Sequence, residues 1–291
     1  MHGSTRAPAA LPAWLHWQDA RPVACAHAPT PAVFRERWGA PGLPVKLTGL
    51  TDDWPARTRW TFAFFARAYG ACEVAVEARA DASATRQVRL ADYLATLADR
   101  GDVDGERWYL KDWVFRQQAP ALLDDYRAPP QFPDYFAELE PALQPGFSWI
   151  YIGPRDSASN FHRDVAGTSA WNALIRGRKL WLFFPPDAHA AAYDNTLDAF
   201  ARDAPPAAAL AAREPLYCIQ EPGETVFTPS LWWHQVYNLE DSIAVTENFV
   251  DDCNLSQVLR GLRERPGGRH TALALALLVG CRRPPPIGAR R

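Results

Sequence analysis

Asn160-Phe161-His162-Arg163-Asp164 is the first of two stretches that carry possible metal ligands. The second is Trp232-Trp233-His234, about seventy residues further along the chain. In an extended segment, residues i and i+2 point to the same face, so the carboxylate of Asp164 and the imidazole of His162 can meet at one ion. His234 would supply a second imidazole. Two imidazoles and one carboxylate on one side of an ion leave its other coordination positions open. The sequence therefore predicts a metal site with His162, Asp164 and His234 as ligands.

The residues after His234 support this prediction, whereas a His-x-Asp sequence alone is a weak sign because it arises by chance in many chains. Residues 238–241, Asn-Leu-Glu-Asp, form a polar turn between two strand-like runs. His234 and Thr246 lie symmetrically about that turn, so a hairpin would place both side chains on one face. An open site of two histidines and one carboxylate is typical of non-haem Fe(II), which also binds oxygen and a co-substrate.

A second hairpin is predicted around Arg176-Gly177, with Leu174 opposite Lys179. Strand alternation would then place Asn172, Lys179 and Trp181 on one side of the sheet. A lysine that points into a barrel needs an anionic partner, because an unpaired buried ammonium is costly. The simplest partner for Lys179 is a bound dicarboxylate.

Several spaced motifs together resemble one family, the JmjC-domain 2-oxoglutarate oxygenases. Within that family the similarity is nearest to the small lysyl hydroxylases that modify translation and splicing factors. It extends over about residues 108–259, and no single motif would suffice. The motifs that carry it are Phe161 to Leu174 with Gly177, Lys179 and Trp181, then Pro222 to Pro229, Trp232 to Leu239, and the upstream segment Tyr109-Leu110-Lys111-Asp112-Trp113.

The resemblance implies a fold, a cofactor set and an activity. The fold would be mainly β with flanking helices, a double-stranded β-helix of the jelly-roll or cupin type. His162, Asp164 and His234 would hold Fe(II), and Lys179 would pair with the distal carboxylate of 2-oxoglutarate, with Asn172 and Thr246 as hydrogen-bonding companions. With O2 as oxidant, the substrate would be a protein side chain, that of a lysine. An aspartate as the metal carboxylate favours hydroxylation.

Three alternatives stay open on the sequence alone. A JmjC demethylase would remove a methyl group from lysine or arginine as formaldehyde instead of adding oxygen to the residue. A zinc hydrolase can also use two histidines and a carboxylate, but it has no use for an inward Lys179, and no His-Glu-x-x-His motif is present. A non-catalytic cupin module that binds peptides would be expected to have lost a ligand, whereas all three ligands and the lysine are present.

Hydrophobic content, net charge and cysteine count indicate which partners and which cellular compartment to expect. Hydrophobic residues make up 48% of the 291, and the net charge of -2 gives no overall attraction to nucleic acid or membrane, although a local basic groove stays open. The five cysteines are scattered and odd in number, so neither a zinc ribbon nor a disulfide framework is indicated. With no secretory signal or span-length apolar run, we expect a cytoplasmic protein, with a nuclear location also open.

The domain organisation is predicted to be a single oxygenase domain over residues 1–291, with the substrate determinants in a loop at residues 80–84 and an insertion at residues 185–215. The apolar run at residues 272–279 would be a helix that packs on the domain or on a partner, which leaves open a homodimer through the C-terminal helices. The predicted parts are an N-terminal α/β part at about 13–146, a jelly-roll core at about 147–250, C-terminal helices at 254–280 and a disordered basic tail at 282–291.

Overall fold

The computed structural model describes residues 10–78, 84–98, 107–188, 198–201 and 215–282. Within these ranges the chain is dominated by strands. The strands are β1 (Arg21–Pro22), β2 (Ala24–His27), β3 (Val45–Thr48), β4 (Glu73–Ala78), β5 (Thr85–Arg89), β6 (Trp108–Trp113), β7 (Ser148–Gly153), β8 (Ser169–Arg176), β9 (Lys179–Phe184), β10 (Leu216–Gln220), β11 (Thr225–Thr228), β12 (Trp233–Asn238) and β13 (Ser242–Phe249).

Short helices and turns flank these strands. Thr30 caps the first helix by accepting a hydrogen bond from the backbone N–H of Val33, and Pro31 occupies its first turn. The α-helices are α1 (Pro31–Phe34), α2 (Ala56–Arg59), α3 (Phe62–Tyr69), α4 (Leu90–Ala98), α5 (Phe115–Gln118), α6 (Leu255–Glu264) and α7 (Gly268–Arg282), with a π-helical turn at Arg35–Gly39 and 3₁₀ turns at Pro120–Asp125, Tyr135–Glu138, Pro141–Leu143 and Val165–Gly167.

The strands form two sheets that face each other. One sheet has four strands in the order β1-β10-β9-β12, and the other has nine in the order β2-β3-β11-β8-β13-β7-β6-β4-β5. Most neighbours are antiparallel, and between β8 and β13 the chain crosses repeatedly between the sheets, with β8, β11 and β13 in the larger sheet and β9, β10 and β12 in the smaller one. This is the jelly-roll arrangement, a double-stranded β-helix, which confirms the predicted fold class. A cavity lies between the sheets and is lined by side chains from both.

The predicted hairpin at Arg176-Gly177 is wrong. Strand β8 pairs with β11 and β13, whereas β9 pairs with β10 and β12, so the corner carries the chain from one sheet to the other and Leu174 does not oppose Lys179. Gly177 makes the corner possible because its φ is +79° and a Cβ atom there would lie 2.2 Å from the backbone oxygen of Asp241. Asn172 and Lys179 still face the same cavity, but from opposite sheets.

The hairpin predicted around residues 238–241 is wrong for the same reason. His234 on β12 pairs with Phe183, and Thr246 on β13 pairs with Trp149 and Asn172. The turn is a second crossing between the sheets. His234 and Thr246 therefore face the cavity from opposite sheets and do not lie on paired strands.

Short strands lie at the edges of both sheets. Strands β1 and β2 precede β3, and each lies at one edge of its sheet. The strand predicted around His162 is reduced to an isolated bridge between His162 and His234. Short edge pairings of this kind leave too weak a hydrophobic pattern for sequence periodicity to find them.

The N-terminal helices cover the outer face of the nine-stranded sheet. Their largest fully buried side chains include Trp60 and Phe65, which pack edge to face. The buried carboxylate of Asp125 accepts hydrogen bonds from Trp60 Nε1 and Arg59 Nη1, both at 2.8 Å. This charge-assisted pair of bonds joins α2 to the 3₁₀ turn at residues 120–125 and fixes the layer against which Trp171 of β8 is buried.

The C-terminal helices pack on the domain, as predicted for residues 272–279. Ala272, Leu275 and Val279 of α7 are buried at helical spacing. Ala272 and Leu275 pack in one hydrophobic cluster with Val258 and Leu262 of α6. Helix α7 continues to Arg282, which the sequence had assigned to the tail. No helix among the described residues is long and apolar enough to cross a bilayer.

Three predicted features fall mainly outside the described residues. They are the loop at residues 80–84, of which only Ala84 is described, the insertion at residues 185–215, of which 185–188, 198–201 and Pro215 are described, and the tail at residues 283–291. Their predicted roles as substrate determinants and as a disordered tail therefore stay predictions.

Candidate metal centre

The structure brings the three predicted metal ligands together. His162 and His234 exchange two backbone hydrogen bonds, of 3.0 and 2.9 Å, which hold their ring centroids 4.2 Å apart. Asp164 follows in extended conformation, with φ of -60° and ψ of 148°. One ligand atom from each of the three side chains lies within 4.8 Å of the others, a spacing that suits a single ion.

Both histidines are neutral and correctly oriented for metal binding. Burial lowers the pKa of His234 to about 4, and burial together with the neighbouring His234 lowers the pKa of His162. His162 Nδ1 lies 2.7 Å from the carbonyl oxygen of Asn160, and His234 Nδ1 lies 3.2 Å from that of Trp232. A carbonyl can only accept, so each Nδ1 carries the proton and each Nε2 keeps its lone pair for an ion.

The carboxyl group of Asp164 is buried and only partly satisfied by hydrogen bonds. Burial raises its pKa, while the nearby His162 opposes that shift. Its Oδ2 atom is buried and has no hydrogen-bond partner among the described residues. An unpaired buried carboxylate oxygen is unfavourable, and a bound metal ion would satisfy it. The donor set and this orphaned oxygen therefore fit a divalent transition metal.

A buried ammonium occupies the other end of the cavity. Lys179 is 1% exposed, and its Nζ donates to Tyr109 Oη at 3.0 Å and to Asn238 Oδ1 at 2.7 Å. Both partners are uncharged, and no carboxylate of the described residues lies within 4 Å of Nζ. Burial lowers the pKa of Lys179 to about 7. A small anion in the cavity would restore the charge balance of this side chain.

Asn172 and Thr246 lie beside each other in the same cavity. They are register partners on β8 and β13, and Asn172 Nδ2 is 2.5 Å from Thr246 Oγ1. Asn172 Oδ1 is buried without a partner among the described residues. Amide atoms can exchange places, in which case the Thr246 hydroxyl donates to the amide oxygen and the NH2 group is free to donate to a carboxylate.

All six predicted site residues line one cavity, and sequence reasoning missed others there. Tyr109 had been noticed only as part of a motif, and Asn238 only as part of a turn, yet both hold Lys179. Their positions depend on long-range pairing of β6 with β7 and of β12 with β9, which local alternation does not reveal. The cavity is lined by Tyr109, Tyr151, Ser159, His162, Asp164, Ala170, Asn172, Lys179, Trp181, Thr228, His234, Val236 and Thr246.

Tyr93 has a structural role. Its hydroxyl donates to the carbonyl oxygen of Ile152 at 2.7 Å and accepts from the N–H of Leu110 at 3.2 Å. It therefore bridges β6 and β7 from within the core, and it does not line the cavity.

Comparison with known proteins relates this chain to one domain family and to several named proteins. The Cupin-like domain family matches residues 31–254. The chain is 35% identical over 253 residues to "Lysine-specific demethylase JMJ21" of Arabidopsis thaliana, which covers 81% of this chain and 26% of that protein. It is 31% identical over 247 residues to "Bifunctional arginine demethylase and lysyl-hydroxylase psr-1" of Caenorhabditis elegans, covering 77% and 60%.

A third relative is "2-oxoglutarate and iron-dependent oxygenase JMJD4" of Mus musculus. It is 32% identical over 256 residues, which cover 77% of this chain and 59% of the relative. The chain thus spans between 26% and 60% of the length of these three proteins. The name of JMJD4 states that it uses iron and 2-oxoglutarate, and the names of JMJ21 and psr-1 state a demethylase activity, which psr-1 combines with a lysyl-hydroxylase activity.

Proposed function

The chain belongs to the cupin-like JmjC family of 2-oxoglutarate- and iron-dependent oxygenases, and from this we propose that it hydroxylates a protein side chain, that of a lysine. The observation that carries the proposal is one cavity with a cation-binding end and an anion-binding end. At one end, two neutral imidazoles and a carboxylate oxygen without a hydrogen-bond partner can bind a cation. At the other end, an ammonium without a charged partner can bind an anion.

In this proposal His162, Asp164 and His234 hold Fe(II), and the cofactors are Fe(II), 2-oxoglutarate and O2. The bound iron and its co-substrate supply the oxidising chemistry. The chain's own residues bind and orient the reactants. The two histidines present unprotonated Nε2 atoms at neutral pH, and Trp181 and Val236 contribute apolar side chains to the cavity wall.

The co-substrate site is proposed at Lys179, Asn172 and Thr246. A dicarboxylate that reaches from the metal to Lys179 would place one carboxylate against the ammonium, with the Asn172 amide and the Thr246 hydroxyl alongside. Tyr109 Oη, 3.0 Å from Lys179 Nζ, adds a further hydroxyl there. Support for this site is that it would satisfy both the buried ammonium and the partnerless end of the Asn172 amide.

The demethylase activity remains the second candidate, because JMJ21 is named a lysine-specific demethylase and psr-1 bears both activities in its name. The two reactions leave different products. A hydroxylated residue gains one oxygen atom, whereas a demethylated residue loses one methyl group as formaldehyde. A zinc hydrolase or a peptide-binding module would leave the Lys179 ammonium without a use.

The first test combines metal binding and turnover. The purified chain is titrated with Fe(II) without oxygen, and succinate formation from 2-oxoglutarate is then measured with a pool of lysate peptides as substrate. We expect iron binding, succinate release and peptides heavier by one oxygen atom. Peptides that lose methyl groups would favour the demethylase, and a chain that binds no iron would contradict the proposal.

A homodimer through the C-terminal helices is proposed as the oligomeric state. Leu273 and Leu277 lie one turn apart on α7, and each is 61% exposed. A second copy could cover this stripe, so Leu277→Lys is expected to shift the mass measured by light scattering from dimer to monomer. Leu43→Lys, at a leucine that is 45% exposed on another surface, should leave the mass unchanged. A wild-type monomer at high concentration would contradict the proposal.

Three further proposals rest on the sequence. Residues 1–291 would form one oxygenase domain, its protein substrate would bind without a nucleic acid or membrane partner, and the protein would be cytoplasmic or nuclear. The five cysteines support the last point, since all of them are free thiols, as expected in a reducing compartment.

A further inference from the structure

Asp112 stands out at the edge of the cavity because its backbone is strained. Its φ is +60°, in the left-handed region that residues other than glycine rarely adopt. It lies on β6 at an irregularity in the pairing with β7, where the register shifts between Leu110 and Trp113. Aspartate tolerates this conformation better than most residues, and such strain is often kept where a side chain must be aimed at a ligand.

Neighbouring groups fix the bulge and aim Asp112. The Tyr93 hydroxyl ties Leu110 of β6 to Ile152 of β7, and Lys111 pairs with Glu77 at 2.6 Å. The bulge is therefore a built feature with its backbone anchored on one side. Asp112 is left exposed beside the cavity.

The carboxylate of Asp112 contacts the cavity wall directly. Its Oδ1 accepts a hydrogen bond of 2.7 Å from Tyr151 Oη, and the Tyr151 side chain lines the same cavity as His162 and Asp164. Burial raises the pKa of Tyr151 and of Asp164, and the charge of Asp112 adds to both shifts.

The charge of Asp112 is uncompensated, in contrast with the charges around it. Among the described residues, no Lys, Arg or His side chain lies within 4 Å of its carboxylate. Lys111 is paired with Glu77, and the Arg163 guanidinium is held 4.6 Å above the Trp233 ring. An anionic group at the rim with one oxygen already oriented by a phenol is suited to a cationic ligand.

We propose that Asp112, oriented by the Tyr151 hydroxyl, binds the cationic end of the substrate side chain, the ammonium of lysine or the guanidinium of arginine. The aliphatic carbons of that side chain would then lie over the metal centre. Asp112 thereby selects cationic residues over neutral ones of similar length. This assignment rests on the proposed function in so far as the substrate enters this cavity.

The test separates recognition from turnover. A display library of random heptapeptides is selected on the full chain loaded with Fe(II) and 2-oxoglutarate in the absence of oxygen. We expect the wild type to enrich Lys or Arg over Gln and Leu by about 10- to 100-fold, the range expected for one charge-assisted contact. Asp112→Asn should abolish the preference, because asparagine accepts the same backbone conformation without the charge.

Two controls sharpen the result. Asp92→Asn removes the same charge from an exposed site, where Asp92 pairs with Arg89, and should keep the cationic preference. Tyr151→Phe removes only the hydroxyl and should reduce the preference in part. A wild type without cationic preference, or an Asp112→Asn variant that keeps it, overturns the assignment. Cationic selection by a wild type that forms no succinate would instead contradict the proposed oxygenase activity and leave this assignment intact.

Discussion

The Asp164→Asn variant is expected to lose at least about 100-fold of its 2-oxoglutarate turnover, since even groups behind the metal ligands commonly contribute 10- to 100-fold. Its metal-free form should nevertheless be more stable than the wild type. Burial raises the pKa of the Asp164 carboxyl, so at neutral pH the folded chain holds an ionised group that is less favourable there than in the unfolded chain. Asparagine has a similar shape and no charge, and it removes that cost.

The pH dependence of this stabilisation has a defined sign. The folded pKa of Asp164 lies above the unfolded value of about 3.9, so the ionised carboxylate costs stability above the folded pKa, and the cost disappears as the pH falls below the unfolded value. The gain in melting temperature of Asp164→Asn without metal should therefore be large at pH 7.5 and close to zero near pH 3.5. Added Fe(II) should stabilise the wild type and not the variant.

Thermal unfolding with and without Fe(II), together with succinate release, measures all of these effects. Asp92→Asn is the matched control, because it removes the same charge from an exposed ion pair and should change neither the melting temperature with iron nor the turnover. An Asp164→Asn variant that binds iron and turns over 2-oxoglutarate like the wild type would show that this carboxylate is not a ligand.

The sequence predicted the contents of the cavity better than the path of the chain. His162 and Asp164 are two residues apart in extended backbone, so their spacing predicted that their side chains meet. The roles of Asn172, Lys179 and Thr246 followed from the resemblance to the JmjC oxygenases. Both predicted hairpins were wrong because alternation is a local property. It is the same whether two consecutive strands pair in one sheet or cross between two sheets.

The positions of Tyr109 and Asp112 of β6 could not be predicted from residue spacing, although both belong to a motif that carries the family resemblance. Tyr109 lines the cavity and Asp112 contacts Tyr151 of its wall because β6 joins the nine-stranded sheet through β7, a pairing between distant parts of the chain. The bulge between Leu110 and Trp113 then breaks the alternation that would have assigned each side chain to a face. Sequence periodicity carries no signal for such a bulge, and the tyrosine that anchors it, Tyr93, lies on a helix.

Lys179→Met is expected to weaken 2-oxoglutarate binding by at least about 30-fold, since removal of one partner of a buried charge pair generally costs 2 kcal/mol or more. Burial lowers the pKa of Lys179 to about 7 when no anion is bound, and a bound carboxylate would raise it. Between these two values, binding takes up a proton. The dissociation constant of the wild type should therefore rise by up to tenfold per pH unit above about pH 7, whereas that of Lys179→Met should be nearly flat.

Calorimetric titration of 2-oxoglutarate in two buffers with different ionisation enthalpies tests this proton uptake directly, because the observed heat then depends on the buffer for the wild type and not for Lys179→Met. Lys46→Met is the matched control, since Lys46 is partly buried outside the cavity and already paired with Glu224 at 3.0 Å. Without ligand, Lys179→Met should be more stable than the wild type at pH 7, because the lowered pKa means that burial of the ammonium opposes folding. Unchanged affinity in this variant would place the anion elsewhere. If the affinity falls while stability rises, Lys179 is, like Asp164, a charge retained for its ligand.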